Sequence, residues 1–170
     1  IRSCEGRTAM KAFRSLAQKS LLAGAISLAT VAAHANLISN GSFENPDVDT
    51  GSWKYFSSAD VPGWEGSNIE IWDSYNGVNA YDGVQFAELN AHPDQPDAFG
   101  IYQDINTQAG QWYDISFAYR ARNSTNEVFD LTAGNDSWTL DDHTTGGWSL
   151  FSGAFMADGA TSTIKFTTVN

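Results

Sequence analysis

The stretch GIYQDINTQAGQWYDISFAYRAR, residues Gly100 to Arg122, decides the fold. Ile101, Gln103 and Ile105 alternate with Tyr102 and Asp104; after a glycine turn, Tyr113, Ile115, Phe117, Tyr119 and Ala121 alternate with polar residues or Ala118. A period of two with one apolar face reads as β-strand, and the Gly110 turn between the two runs reads as a hairpin. An apolar strand face must be laid on a second layer, so the neighbours are expected to form a sandwich.

Working outward, turn signals recur throughout the chain from Asn36: Asn40-Gly41, Pro62-Gly63, Asn76-Gly77, Asp82-Gly83, Ala109-Gly110, Gly134-Asn135 and Gly146-Gly147. Between them lie short runs rich in β-branched and aromatic residues. Strands are expected over 37–39, 53–56, 69–72, 84–89, 100–105, 112–122, 128–133, 137–140, 148–156 and 161–168, with no amphipathic helix. Many short strands at such spacing argue an all-β antiparallel sandwich or jelly roll. In the last run Ile164 and Phe166 oppose Thr163, Lys165 and Thr167, and the sequence then stops at Asn170 without a turn or polar tail. It reads as a domain lacking its closing strand, with an edge left unpaired.

The N-terminal region has a different character. Met10 is followed by Lys11, Arg14 and Lys19, an apolar run from Leu21 to Ala32, and Ala33-His34-Ala35. That order reads as a secretory signal peptide over 10–35, cleaved before Asn36, with 1–9 as translated upstream sequence. The apolar run is shorter than the roughly 20 residues of a membrane span. The expected product is one secreted domain, 36–170, found outside the cell or at its surface.

Removing 1–35 takes five of the nine Lys and Arg, one of the twenty acids and the only cysteine, Cys4. The remaining 135 residues carry 4 basic and 19 acidic side chains, a formal charge of −15. Such a surface repels phosphate backbones, which argues against nucleic acid as a partner, and membrane insertion of the mature chain is not expected. Without a disulfide, stability rests on the core.

Three segments together carry a resemblance: NLISNGSFE at 36–44, Val61-Pro-Gly-Trp64, and the run from Gln103 to Arg120 with its Thr107-x-x-Gly110-x-x-Tyr113 centre. They resemble secreted bacterial proteins with a galactose-binding-like jelly roll, related to carbohydrate-binding modules and to a family of plant cell-wall proteins. The resemblance spans about Asn36 to Phe166. It implies the jelly-roll fold and a polysaccharide or other glycan as partner. It also implies a structural calcium site using Asn40, Gly41, Phe43 and Glu44, completed by a late Asp beyond Asn170. Calcium takes six to eight oxygens, and Glu44 is the only carboxylate among those four. Its alternative role is to accept backbone amides at the turn.

Sugar recognition needs a flat aromatic face flanked by hydrogen-bonding groups. Residues 36–170 hold six Trp and six Tyr. Trp64, Trp112, Tyr113, Tyr119 and Trp148 fall in the apolar pattern and are expected in the core; Trp72, Tyr75, Tyr81, Tyr102 and Trp138 are the expected stacking residues. On the polar face of the central strands the reading places Glu70, Trp72, Glu88, Tyr102, Arg120 and Arg122. These form either a sugar-binding groove or a ladder of cross-strand ion pairs. The loops 73–82 and 90–97 are a second candidate site. Residues 36–170 contain no Cys, G-x-S-x-G or H-E-x-x-H. His92 and His143 fall in polar loops and are expected to be solvated. A non-catalytic binding module is therefore expected. The alternatives are a surface or matrix structural protein and the accessory domain of a larger hydrolase.

Overall fold

The computed structural model describes residues 36–91, 98–124 and 126–169. The segment read as a signal peptide, His92, and most of the 90–97 loop lie outside those residues.

Among the described residues ten strands run in chain order: β1 (Ser52–Phe56), β2 (Glu65–Gly66), β3 (Ile69–Asp73), β4 (Gln85–Glu88), β5 (Gly100–Asn106), β6 (Trp112–Tyr119), β7 (Phe129–Ala133), β8 (Asp136–Leu140), β9 (Ser149–Met156) and β10 (Thr161–Thr168). The described helical elements are single 3-10 turns at Ser58–Asp60 and Tyr75–Gly77. Every strand pairing among the described residues is antiparallel. One layer is a five-stranded sheet of order β2-β5-β10-β7-β8. Facing it are a three-stranded sheet, β1-β3-β4, and a two-stranded sheet, β6-β9. The result is the expected antiparallel β-sandwich of the jelly-roll kind.

Two apolar clusters join the layers. Ile69 and Ile71 of β3 meet Ile101 of β5, with Val48, Val61 and Trp64, all buried. Tyr119 of β6 and Phe155 of β9 meet Ile105, Leu131, Ala133, Leu140 and Ile164 of the five-stranded sheet. Burying side chains of this size contributes roughly 1.5–3 kcal/mol each. Phe166 bridges the two clusters, packing on both Trp64 and Phe117.

The strands of the deciding stretch are present but are not a hairpin. β5 pairs with β10 and β2, whereas β6 pairs with β9 in the opposite layer. The connection bonds outward: Thr107 N–H donates to Ala160 O, Gly110 N–H to Ala157 O, and Ala157 N–H to Gln111 O. Each strand has one apolar face, and both faces point into the core from opposite sides. Period two reveals the face but not the hydrogen-bonding partner.

Two further expectations are corrected, those for residues 37–39 and for Trp112. Residues 37–39 form no strand; Ser39 is held instead by Gln103, whose side chain accepts from Ser39 N–H and donates to Ser39 O. β10 is flanked by β5 and β7, so it is an interior strand. Trp112, expected in the core, is 67% exposed, because the inward positions of β6 are Tyr113, Ile115 and Phe117.

Candidate functional site

Cross-strand register builds one face residue by residue. Ile69 and Ile71 of β3 point into the core, so Glu70 and Trp72 point outward. Tyr55 of β1, Glu70 of β3 and Glu88 of β4 stand opposite one another in one row; Trp53, Trp72 and Phe86 form the next. Arg120 and Arg122, at the end of β6, reach the same face: the Arg122 guanidinium lies 4.8 Å from the Trp72 ring and Arg120 lies 5.7 Å from Trp148.

The inner part of this face is closed. Glu70 and Trp72 are buried, and the Trp72 indole N–H donates to Glu70 Oε1 at 2.7 Å. Tyr75 stands edge-on to Trp72 at 4.8 Å, and Phe86 packs beside it. Arg122 covers the ring and donates to Glu88 Oε1 at 2.7 Å. Trp72 therefore has no open face on which a sugar could stack, contrary to its expected stacking role.

Glu88 is the strained member of the cluster. Burial pushes its carboxyl from an ordinary 4.5 up to about 7; the Arg122 hydrogen bond opposes the rise, and the carboxyl of Glu70 adds to it. Glu88 Oε2 is buried without a partner among the described residues. A proton held there satisfies that oxygen by bridging to Glu70. Carboxyls close enough to share a proton do not suit the separation of about 5 to 9 Å that glycosidases use.

The outer part of the face reaches solvent. Trp53 and Tyr55 on β1 are 36% and 44% exposed, and Tyr75 lies 6.5 Å from Trp53. The Arg122 side chain is about half exposed. These groups give an amphipathic aromatic strip beside a charged rim. Sequence alone does not single out Trp53 and Tyr55, because a three-residue alternation does not say which side of β1 is covered.

The other expected residues fall elsewhere. Tyr102 lies on the outer side of β5, in the opposite layer, where its hydroxyl donates to Glu65 Oε2 at 3.0 Å. It borders a separate shallow polar cavity of about 420 Å³ with Ser67, Asn68 and Lys165. Arg120 donates to Thr145 O at 2.6 Å. Trp138 packs on Phe151 and is half-buried. Trp148, expected in the core, lies on Phe86 at the edge of the face, its N–H bonded to Asn79 O. Tyr81 is exposed. His143 is buried against Tyr119 and Phe129, because its loop folds over that end of the core. Within the 73–82 loop, Asp73 and Asp82 accept from Thr50 and Ser42.

The oxygens of the expected calcium segment already have partners. Glu44 Oε1 accepts the amides of Val84 and Gln85, Phe43 O accepts from Gln85 Nε2, and Asn40 Oδ1 accepts from Asn45 N–H. Among the described residues no group of three or more His, Cys, Asp and Glu is placed to hold a metal ion. These oxygens serve the turn and do not by themselves fit a calcium shell.

No family model matches the chain and no curated protein matches it. Among solved structures it is similar to TmCBM61, determined in complex with β-1,4-galactotriose, at 14% identity and a TM-score of 0.45 over 79% of this chain and 87% of that one. A likeness this distant transfers no residue or ligand.

Proposed function

We propose that this is a secreted, non-catalytic domain that binds extracellular polysaccharide through the outer edge of the β1-β3-β4 face. The observation that carries the reading is the solvent exposure of Trp53 and Tyr55, which stand on one side of a strand beside Tyr75 and the Arg122–Glu88 ion pair. Aromatic rings with a polar tip offer the flat apolar surface a pyranose face needs, and their two side-chain torsions cost little to order. Trp72, Glu70 and Phe86 act beneath them as support. In the resemblance set out above, polysaccharide is also the partner class. A single strip of this size binds in the mM to µM range, about −4 to −8 kcal/mol.

The test is retention of the folded chain on a panel of insoluble polysaccharides, comparing Trp53→Ala and Tyr55→Ala with Trp112→Ala, an exposed tryptophan of β6. Loss of retention in the first two only supports the reading. Equal behaviour of all three refutes it.

The closed packing of Trp72 and the internal pairing of Arg122 favour one other reading, a structural surface protein whose face packs on neighbours. Absence of retention on every polysaccharide would select it.

A further inference from the structure

Among the described residues β1, β2, β4, β6, β8 and β9 stand at the ends of their sheets, each with one edge unpaired. All but one carry a charge: Lys54 in β1, Glu65 in β2, Glu88 in β4, Asp114 in β6 and Asp136 in β8. Charged side chains on an edge deter pairing with another chain. β9, with the sequence SLFSGAFM, has neither a charge nor a proline. That is unusual in a region whose formal charge is −15.

The free side of β9 is the rim of the sandwich. Phe117 of β6 lies on Phe166 of β10 and Phe129 of β7, whereas Phe151 of β9 lies on Trp138 of β8, the last strand of the layer beneath. β9 therefore runs above the outer edge. Its backbone direction follows from its end: Ala157 N–H donates to Gln111 O, on the β6 side, and main-chain groups alternate in direction along a strand. Ser149, Phe151, Gly153 and Phe155 thus turn their N–H and C=O toward β6, and Leu150, Ser152, Ala154 and Met156 turn theirs to the rim. The side chains of the latter four also point away from the core, with Leu150 62% and Met156 49% exposed.

This edge is complementary to itself. A twofold axis through Gly153, perpendicular to the sheet, sets Leu150 opposite Met156 of a second copy and Ser152 opposite its Ala154. Each such pair exchanges two main-chain hydrogen bonds, and the exposed apolar side chains meet at both ends. Trp138 touches Phe151 and stands 3.7 Å from a Cβ placed on Gly153, so it flanks the axis in the layer beneath. Asp136 follows the turn at Gly134, which lies against Phe155 at the Met156 end, and the axis sends the two copies of Asp136 to opposite ends.

Seven paired residues bring together about 23 Å of edge, two layers deep, which buries roughly 900 Å² in total. Stable complexes bury roughly 1,200–2,000 Å², and two acidic copies repel, so the contact is weak and salt strengthens it.

We infer that β9 is an interaction edge for a second copy of this chain, the two copies joined antiparallel in the strand order β6-β9-β9-β6 as a twofold dimer with a Kd of about 0.1 mM. The outer faces of both copies then look the same way, so one glycan chain can reach both Trp53–Tyr55 strips. That consequence rests on the sugar contact proposed above; the pairing does not.

The test follows the full chain by NMR from about 10 µM to 1 mM, at about 0.05 and 0.5 M salt, reading particle size by diffusion and the edge by amide exchange. Size should rise from monomer toward dimer with concentration, and more at the higher salt. At that Kd about a fifth of the chain is monomeric at 1 mM, so exchange at Leu150, Ser152, Ala154 and Met156 should slow about five-fold. Phe151, Gly153 and Phe155, already directed to β6, should change little. Ser152→Pro removes only a rim N–H, and Leu150→Glu puts a charge beside Met156 of the second copy; each should abolish both effects. Should Ser152→Pro fail to fold, Leu150→Glu decides alone. A monomer at 1 mM in both salts overturns the inference, as does a dimer protected at other strands or at every β9 amide alike. Association beyond a dimer, or a dimer that survives Leu150→Glu, overturns it too.

Discussion

Replacing Glu88 by glutamine should remove most of a pH dependence of stability that the buried carboxyl pair creates. The folded-state value of Glu88 is about 7, against 4.5 for an ordinary glutamate. A carboxyl with a raised folded value binds its proton more tightly in the native state than in the unfolded chain. Stability is therefore greatest below about 4.5, falls as pH rises, and levels off above about 7. A difference of about 2.5 units corresponds to roughly 3 kcal/mol, and the side chain is only 15% exposed, so little of it is screened away. A folded domain of about 135 residues unfolds with roughly 0.28 kcal/mol/K of entropy, which converts 3 kcal/mol to about 10 °C in Tm. In the Glu88→Gln variant the side-chain amide keeps an acceptor for Arg122 and offers a donor to Glu70, but has no proton to lose. Calorimetry of both proteins from pH 4.5 to 8.5 reads the difference, which cancels the general self-repulsion of an acidic chain. The gap in Tm, variant minus wild type, should widen by about 10 °C across that range. A gap that stays constant would refute a shared proton between Glu70 and Glu88.

Two further perturbations test the supports of the fold. Gln85 is buried, with Oε1 accepting from Val48 N–H and Nε2 donating to Phe43 O and Pro46 O, so Gln85→Leu leaves one buried and two part-buried backbone groups without these partners. A loss of about 3 kcal/mol or more is expected in urea unfolding, and one below about 1 kcal/mol would show that these bonds are dispensable. At Gly66, where φ is +106°, an added Cβ would overlap the Gly100 carbonyl oxygen. Gly66→Ala should cost about 1–3 kcal/mol and free the Tyr102 hydroxyl from Glu65 by detaching β2; an unchanged Tm would contradict that packing.

The fold was legible wherever one face of a strand is apolar. The alternations at 69–72, 112–119 and 161–168 each appear as strands with the inward residues that period two assigns. What periodicity could not supply was partnership. β5 and β6 are adjacent in sequence and alternate alike, yet they belong to different layers, and loop 107–111 carries bonds across to residues 157–160. The candidate site was legible in part for a related reason. Glu70, Trp72, Glu88 and Arg122 do meet on one outward face, as alternation and charge balance required. Which of them is open depends on the Tyr75 loop and the Arg122 side chain, and neither belongs to the strand it covers. Tyr102 illustrates the same limit: its parity on β5 is right, but β5 lies in the other sheet.

The central claim is that the outer strip of the β1-β3-β4 face meets a sugar chain. The most direct measurement is a titration of the folded protein with soluble oligosaccharides from any polysaccharide that retains it, followed through the six tryptophan indole N–H resonances. Saturable shifts at Trp53, with smaller ones at Trp72 beneath and none at Trp112, are the predicted result. Shifts centred on Trp112, or no saturable shift at Trp53, would contradict the claim.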